Sequence, residues 1–369
     1  MLLLQHAHLR RLLPRMSAAR CGAEDRDVRA THTHRRELRR LRQLRAHLLP
    51  LPAGDPRDSL RRQERLAMQV ARRSIQVLVV AFVVLVPMVN YYGVKVQQKD
   101  YRGIENSAML STVDTMFGEM DRDDAADLSH KVKGSVWTAE VFGVKVSDPL
   151  AALESTTTAT RFHWPLILSI ALPVLVTLIL GRAYCGWMCP MNLVFEINDK
   201  LRGLLKKTGY NVRNVRFGRQ TKYVVLGVGL LVAFIVGIPV LSLLYPPAIL
   251  SREVFYKVYG GAFGSGLLIL AAMCLFELIL SQRWWCRYVC PGGAVYSGIA
   301  LVRRLRIVRN DSACDRCGDC VPICPYDLRP MTTELTADCD QCGQCVSACD
   351  PGALNFKFQL SGPLRGTAR

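Results

Sequence analysis

Fourteen cysteines are spread unevenly along this 369-residue chain, and eight of them fall in its last sixty residues. They form two near-copies of one pattern. The first is Cys314, Cys317, Cys320 and Cys324, followed by Pro325; the second is Cys339, Cys342, Cys345 and Cys349, followed by Asp350 and Pro351. Each reads C-x2-C-x2-C-x3-C, the spacing by which bacterial ferredoxins hold [4Fe–4S] clusters, the fourth Cys of each run ligating the other cluster. The pattern predicts one cluster on Cys314, Cys317, Cys320 and Cys349 and a second on Cys339, Cys342, Cys345 and Cys324. Such a pair moves single electrons. Zinc ribbons separate two CxxC pairs by a long insert, which this spacing does not. Disulfides need an oxidising compartment, which the topology below denies to this segment. Asp350 departs from the usual Cys-Pro ending and predicts a carboxylate close enough to lower a cluster's reduction potential.

Four further cysteines repeat a second pattern. GRAYCGWMCPMNLV carries Cys185 and Cys189-Pro190; SQRWWCRYVCPGGAV carries Cys286 and Cys290-Pro291. Both have an Arg three residues before the first Cys (Arg182, Arg283) and an aromatic just before it (Tyr184, Trp285). Tyr, Trp and Arg of this kind suit a lipid headgroup layer. Proline disfavours helix before it and suits the first helical position, so Cys189 and Cys290 are expected at helix N-termini, whose field favours a thiolate. Four thiols suffice for a third cluster, a metal site or a dithiol relay. They are also compatible with inert packing.

Apolar runs at 74–92, 162–180, 223–244 and 262–280 must position these motifs, each near the roughly 20 residues that cross a bilayer core. Lys and Arg orient them. Residues 181–222 hold nine basic residues against Glu196 and Asp199, and Arg303, Arg304, Arg306 and Arg309 follow the fourth run. The segment 93–161 has eight basic and eleven acidic residues. The positive side is cytoplasmic. The expected fold is an α-helical integral membrane protein with four transmembrane helices and a C-terminal α+β bacterial-ferredoxin-like domain with two [4Fe–4S] clusters. In chain order come a basic leader (1–73), the first span (74–92), a periplasmic loop (93–161) and the second span (162–180). A cytoplasmic CxxxCP segment with an amphipathic helix (181–222), the third span (223–244), a second periplasmic loop (245–261) and the fourth span (262–280) follow. The second CxxxCP segment (281–309), the ferredoxin domain (310–358) and a tail (359–369) close the chain. Both termini then lie on the cytoplasmic side of a bacterial inner membrane. The net charge of +18 is a positive-inside signature, and no aromatic-interleaved basic patch points to nucleic acid.

The leader holds eighteen Arg and no Lys. Pieces such as RRELRRLRQLR suit a basic helix on a membrane surface, but the leader also reads as a disordered or untranslated stretch, with translation starting near Met68. No cleavable signal peptide is evident.

Paired CxxxCP motifs followed by two ferredoxin runs resemble the polyferredoxin-type membrane proteins. This group comprises the NapH-like quinol dehydrogenase component, the MauN methylamine-utilisation ferredoxin-type protein, the NosR-type regulator and the CcoG-type oxidase accessory protein. The resemblance covers about 74–358. It implies an electron-transfer subunit of a quinol dehydrogenase-type system. Such a subunit oxidises membrane quinol and passes electrons toward a periplasmic c-type cytochrome or reductase, alongside other iron–sulfur subunits. Two alternatives stay open: an assembly or maturation factor reducing a metal or disulfide on a redox enzyme, and electron entry from cytosolic donors to the quinone pool. Thr156-Thr157-Thr158-Ala159-Thr160 lacks the glycine of a flavin attachment motif. Glu277, within the fourth span, is a candidate acceptor of a quinol proton, or snorkels to the headgroups beside Arg283. His163 with Arg161 is a candidate quinone contact or an interface anchor. Cys274 reads as a small buried residue, and Cys21 falls in the leader.

Overall fold

The computed structural model describes residues 56–118, 121–159, 164–209, 214–330 and 335–359. Cys21, Arg161, His163, residues 1–55 of the leader and residues 360–369 of the tail lie outside the described residues.

Helix α1 runs unbroken over Pro56–Gln97. Its part Gln63–Gln97 is the one stretch among the described residues long and apolar enough to cross a membrane. The boundary expected at residue 73 is therefore no boundary, because the helix begins in the leader and continues through it. Three short helices, α2 (Tyr101–Glu105), α3 (Ala108–Phe117) and α4 (Arg122–Lys131), fold back on the second half of α1. They bury Tyr92 and Val96 against Ile104, Leu110, Val113 and Ala126. An antiparallel meander follows: β1 (Val132–Gly134), β2 (Thr138–Val141) and β3 (Val144–Ser147).

Next come α5 (Pro149–Ala159), α6 (Trp164–Leu180), α7 (Pro190–Lys207), α8 (Thr221–Val236), α9 (Pro246–Val258), α10 (Ser265–Ile279) and α11 (Pro291–Ile299). Helices α6, α8 and α10 are apolar but have 17, 16 and 15 residues. At 1.5 Å per residue each falls short of a bilayer core of about 30 Å. Their outer faces expose Leu168, Ile235 and Leu268, each more than 70 % accessible.

The segments expected to be periplasmic loops do not stay outside. Helix α8 stops at Val236 because Gly237 takes a left-handed conformation (φ 70°), so the span expected over 223–244 ends early. The chain then runs back along α8 until Leu241 lies against Gly229, where a Cβ would stand 2.2 Å from Leu241 Cδ2. It reaches the Cys290 layer at Tyr245 and leaves again as α9. The meander and α5 do the same one repeat earlier: Leu150 packs with Leu241 and Tyr245. A buried carboxylate supports each inward segment. Glu154 accepts from the backbone N–H groups of Leu241 (2.5 Å) and Ser242 (3.2 Å). Glu253 accepts from those of Gly264 (2.5 Å) and Gly266 (3.1 Å) at the start of α10. These N–H groups would otherwise be orphaned.

The C-terminal domain is small. Strands β4 (Leu305–Arg309) and β5 (Leu354–Phe358) pair antiparallel, Ile307 opposite Phe356. Between them lie two four-residue helices, α12 (Cys320–Ile323) and α13 (Gln344–Ser347).

Candidate functional site

Each CxxxCP motif is built on a five-residue π-turn, Tyr184–Met188 and Trp285–Val289. The wide turns are closed by Cys189 N–H donating to Tyr184 O (2.9 Å) and Cys290 N–H to Trp285 O (2.8 Å). Such turns are rare and concentrate at functional sites. Cys189 and Cys290 then occupy the N-cap positions of α7 and α11, each with proline next. Gly293 N–H donates to Cys290 Sγ at 3.3 Å.

One cavity is lined by Cys185, Cys189, Cys286 and Cys290, with Tyr184, Tyr245 and Tyr326 among its other walls. A second is lined by Cys324, Cys339, Cys342 and Cys345, and a third by Cys314, Cys317, Cys320 and Cys349. The last two sets have the crossed-over membership that the ferredoxin spacing predicts. Among the described residues no three or more His, Cys, Asp or Glu are arranged to hold one metal ion; the cysteines line walls instead. Tyr326 belongs to both the first and the second cavity.

The helix N-terminal field was expected to favour thiolates here. Burial outweighs it: the Cys290 thiol is pushed up to about 12, with Cys185 adding to the rise and the Gly293 N–H opposing it. Burial also raises Cys185, Cys189 and Cys286. A cationic metal centre is what would reverse the balance.

Arg182 and Arg283 are not headgroup anchors. Both are 1 % exposed and serve the protein interior. Arg283 Nε donates to Asp199 (2.8 Å). Arg182 pairs with Asp338 (3.6 Å), and its guanidinium lies 5.3 Å from the Tyr326 ring centre. Lys222 and Arg219 (3.3 Å) complete the cations around Asp338. Gly186 O, in the first π-turn, accepts from Arg72, Gln76 and Asn192. Trp187 Nε1 donates to Gln341 O (3.1 Å), and Arg287 Nε to Pro325 O (3.1 Å), so both turns grip the ferredoxin domain. Residues of the leader join them. Arg65 Nη1 donates to Cys349 O (2.6 Å) and Gln69 Nε2 to Cys342 O (3.2 Å).

Glu277 does not snorkel. It is 2 % exposed, and its Oε1 accepts from Trp285 N–H (3.1 Å), beside Cys286. Its Oε2 is buried with no hydrogen-bond partner. Asp350 is exposed and is not among the residues lining the cysteine cavities, so solvent screens its charge. Cys274 lies partly buried beside the α7–α10 core and away from the cavities.

Comparison with known proteins bears on these motifs directly. A family described as 4Fe-4S binding domain matches residues 162–208 and 263–309, the two CxxxCP hairpins rather than the C-terminal runs. The methylamine utilization ferredoxin-type protein MauN of Methylorubrum extorquens is 34 % identical over 204 residues, 54 % of this chain and 68 % of that one. MauN of Methylobacillus flagellatus is 30 % identical over 67 % of this chain and 87 % of its own length.

The chain belongs to the MauN and NapH ferredoxin-type proteins.

The ferredoxin-type protein NapH of Escherichia coli is 30 % identical over 49 % of this chain and 61 % of its own. No solved structure matches this MauN/NapH-type chain. The resemblance read from the twelve motif cysteines is thus shown, and with it an iron–sulfur electron-transfer role. Motif reading missed Asp148. This buried residue sits beyond the first cavity and accepts from Tyr245 OH (3.0 Å) and Tyr296 OH (3.1 Å). Asp148-Pro149 reads as an ordinary helix start, so only the inward fold of the segment reveals it.

Proposed function

We propose that this chain is a membrane-bound electron carrier with three [4Fe–4S] sites in series. The first is Cys185, Cys189, Cys286 and Cys290; the second is Cys324, Cys339, Cys342 and Cys345; the third is Cys314, Cys317, Cys320 and Cys349. The reading is carried by Tyr326, whose side chain borders both the first and second cavities. Four thiols on each wall set suit a cube of iron and sulfide, which would supply one-electron chemistry. The residues around them join the ferredoxin domain to both turns and bury Cys339, Cys342, Cys345 and Cys349.

In this reading α1 crosses the inner membrane, and α6, α8 and α10 cross it together with the segments that flank them, with the ferredoxin domain cytoplasmic, because the Lys and Arg of 181–222 and 303–309 gather at the cysteine end. Electrons enter from membrane quinol at the first site and travel outward, toward a periplasmic c-type cytochrome or reductase through further iron–sulfur subunits. The reverse flow, from cytosolic donors into the quinone pool, has one observation in its favour: the third site shares no lining residue with the first. A maturation factor exchanging thiols with a client fits less well, because the ferredoxin domain covers the four membrane-edge cysteines.

Iron and sulfide analysis of purified protein tests the count: about twelve irons per chain, falling to about eight when Cys189 and Cys290 are both changed to Ser. Eight in both proteins sinks the cluster at the first site. Reporter fusions after Asn310 and within Asp121–Asp127 test the topology, and periplasmic activity at the first position overturns it.

A further inference from the structure

A cavity of about 470 Å³ lies between α1 and α6, within the size range of small-molecule sites. Its long walls are apolar, formed by Leu78 and Phe82 of α1 and by Leu172 and Val176 of α6. Leu78 and Leu172 are more than half exposed on the outer surface, so the cavity meets the face that a bilayer would cover. Its inner end is different. There Asp148, Tyr184 and Tyr296 line it, the two phenol rings stacked at 5.0 Å. Asp148 is 4 % exposed, and among the described residues no Lys or Arg forms an ion pair with it. Tyr184 also lines the four-cysteine cavity, as does Tyr245, which donates to Asp148. The inner end of the apolar cavity is thus one tyrosine layer from the first cysteine site.

A long apolar slot open toward lipid, ending in one carboxylate that tyrosine hydroxyls hold without a cationic partner, beside a redox site, matches a lipophilic carrier with a polar ring edge. We propose that this cavity binds a quinol with its ring edge at Asp148, and that Asp148 is the base that receives the hydroxyl protons. The inference rests on the quinol-linked reading above. Oxidation of the quinol breaks two O–H bonds and forms two C=O bonds, releasing two protons and two electrons. The electrons leave singly to the iron–sulfur centre as oxidant. The carboxylate takes the first proton and must pass it to water before taking the second. Burial holds Asp148 up at about 6, where it accepts and releases a proton readily at neutral pH. Asp148 thereby takes the role considered for Glu277, which does not line this cavity.

The test uses the full-length protein with its clusters assembled, in lipid nanodiscs. An azido-substituted short-chain ubiquinone is photolysed on it, and labelled peptides are mapped by mass spectrometry. Label is expected within residues 75–82 or 172–177. Val176→Trp fills the slot without touching the Asp148 hydrogen bonds and is expected to weaken quinone binding about tenfold or more. Asp148→Asn is expected to keep binding yet slow quinol reduction of the clusters about 100-fold or more, with the dithionite-reduced EPR spectrum unchanged. Asp148→Glu, which restores a carboxylate, is expected to recover part of that rate. Label elsewhere, or full-rate reduction in the Asn variant, overturns the site and leaves the quinol-linked reading standing. If quinol fails to reduce wild-type clusters that dithionite reduces, that reading falls and the site with it.

Discussion

Asp338 shows how much of this molecule depends on single partly buried charges. Burial opposes its ionisation, but Lys222 and then Arg182 prevail and hold its carboxyl down at about 2. A carboxyl depressed in the folded state stabilises above its ordinary range, and that contribution, about 2.5 kcal/mol, is lost as pH falls through about 2. Asp338→Asn leaves three cations facing one another and is expected to cost about 3–5 kcal/mol. Cluster absorbance during thermal unfolding would show it, together with early proteolytic release of the C-terminal domain; an unchanged melting curve would refute the role. Asp148 works in the opposite sense. Its raised carboxyl stabilises the fold below the ordinary carboxylate range and loses that contribution as pH rises through about 6. The groups facing it are Tyr184, Tyr245 and Tyr296, with the Cys185 and Cys290 thiols behind, none of which is charged near that pH. Quinol-driven cluster reduction is therefore expected to rise with pH through about 6, and to lose that step in Asp148→Asn. At this scale the cysteines were legible because iron demands fixed spacings. Asp338 and Asp148 were not, since each owes its importance to residues 97 to 156 positions away.

Elements carry the same lesson through their turns. The doubled Cys-Pro announced two helix starts, and α7 and α11 begin there. The apolar stripe of Val194, Ile197, Leu201 and Leu204 lies on the exposed face of α7. The π-turns themselves had no sequence signature, because a wide turn is a matter of which carbonyl accepts which N–H. The inward segments were missed for a related reason: hydropathy reports that a run is apolar, not that it turns back halfway. Gly186 marks the closest approach between a turn and the ferredoxin domain, where a Cβ would stand 2.5 Å from Asp340 O. Gly186→Ala must push those backbones apart, at a cost of about 1–3 kcal/mol. The expected signature is altered EPR of the membrane-edge and second clusters with the third unchanged. Identical spectra would show that the contact is slack.

Across the whole molecule, α1 joins what the chain order separates. Its apolar part packs with α4 and α9, while its first turns reach the cluster loops through Met68, Arg65 and Gln69. A protein started at Met68 loses the Arg65 bond to Cys349 O. We expect faster oxygen bleaching of the cluster on Cys349 in such a truncation, with unaltered membrane insertion; equal bleaching rates would make the upstream turns dispensable. The leader's arginines gave no hint of this, since a basic amphipathic pattern suits lipid and protein carbonyls alike.

The split of one cysteine cavity between two hairpins also bears on how the chain is made. Cys185 and Cys189 leave the ribosome about a hundred residues ahead of Cys286 and Cys290. During that interval half a binding wall waits in the membrane, facing no partner. Iron delivered early would meet two thiols instead of four. In the three-cluster reading, cofactor insertion at this site waits until Cys290 has been made.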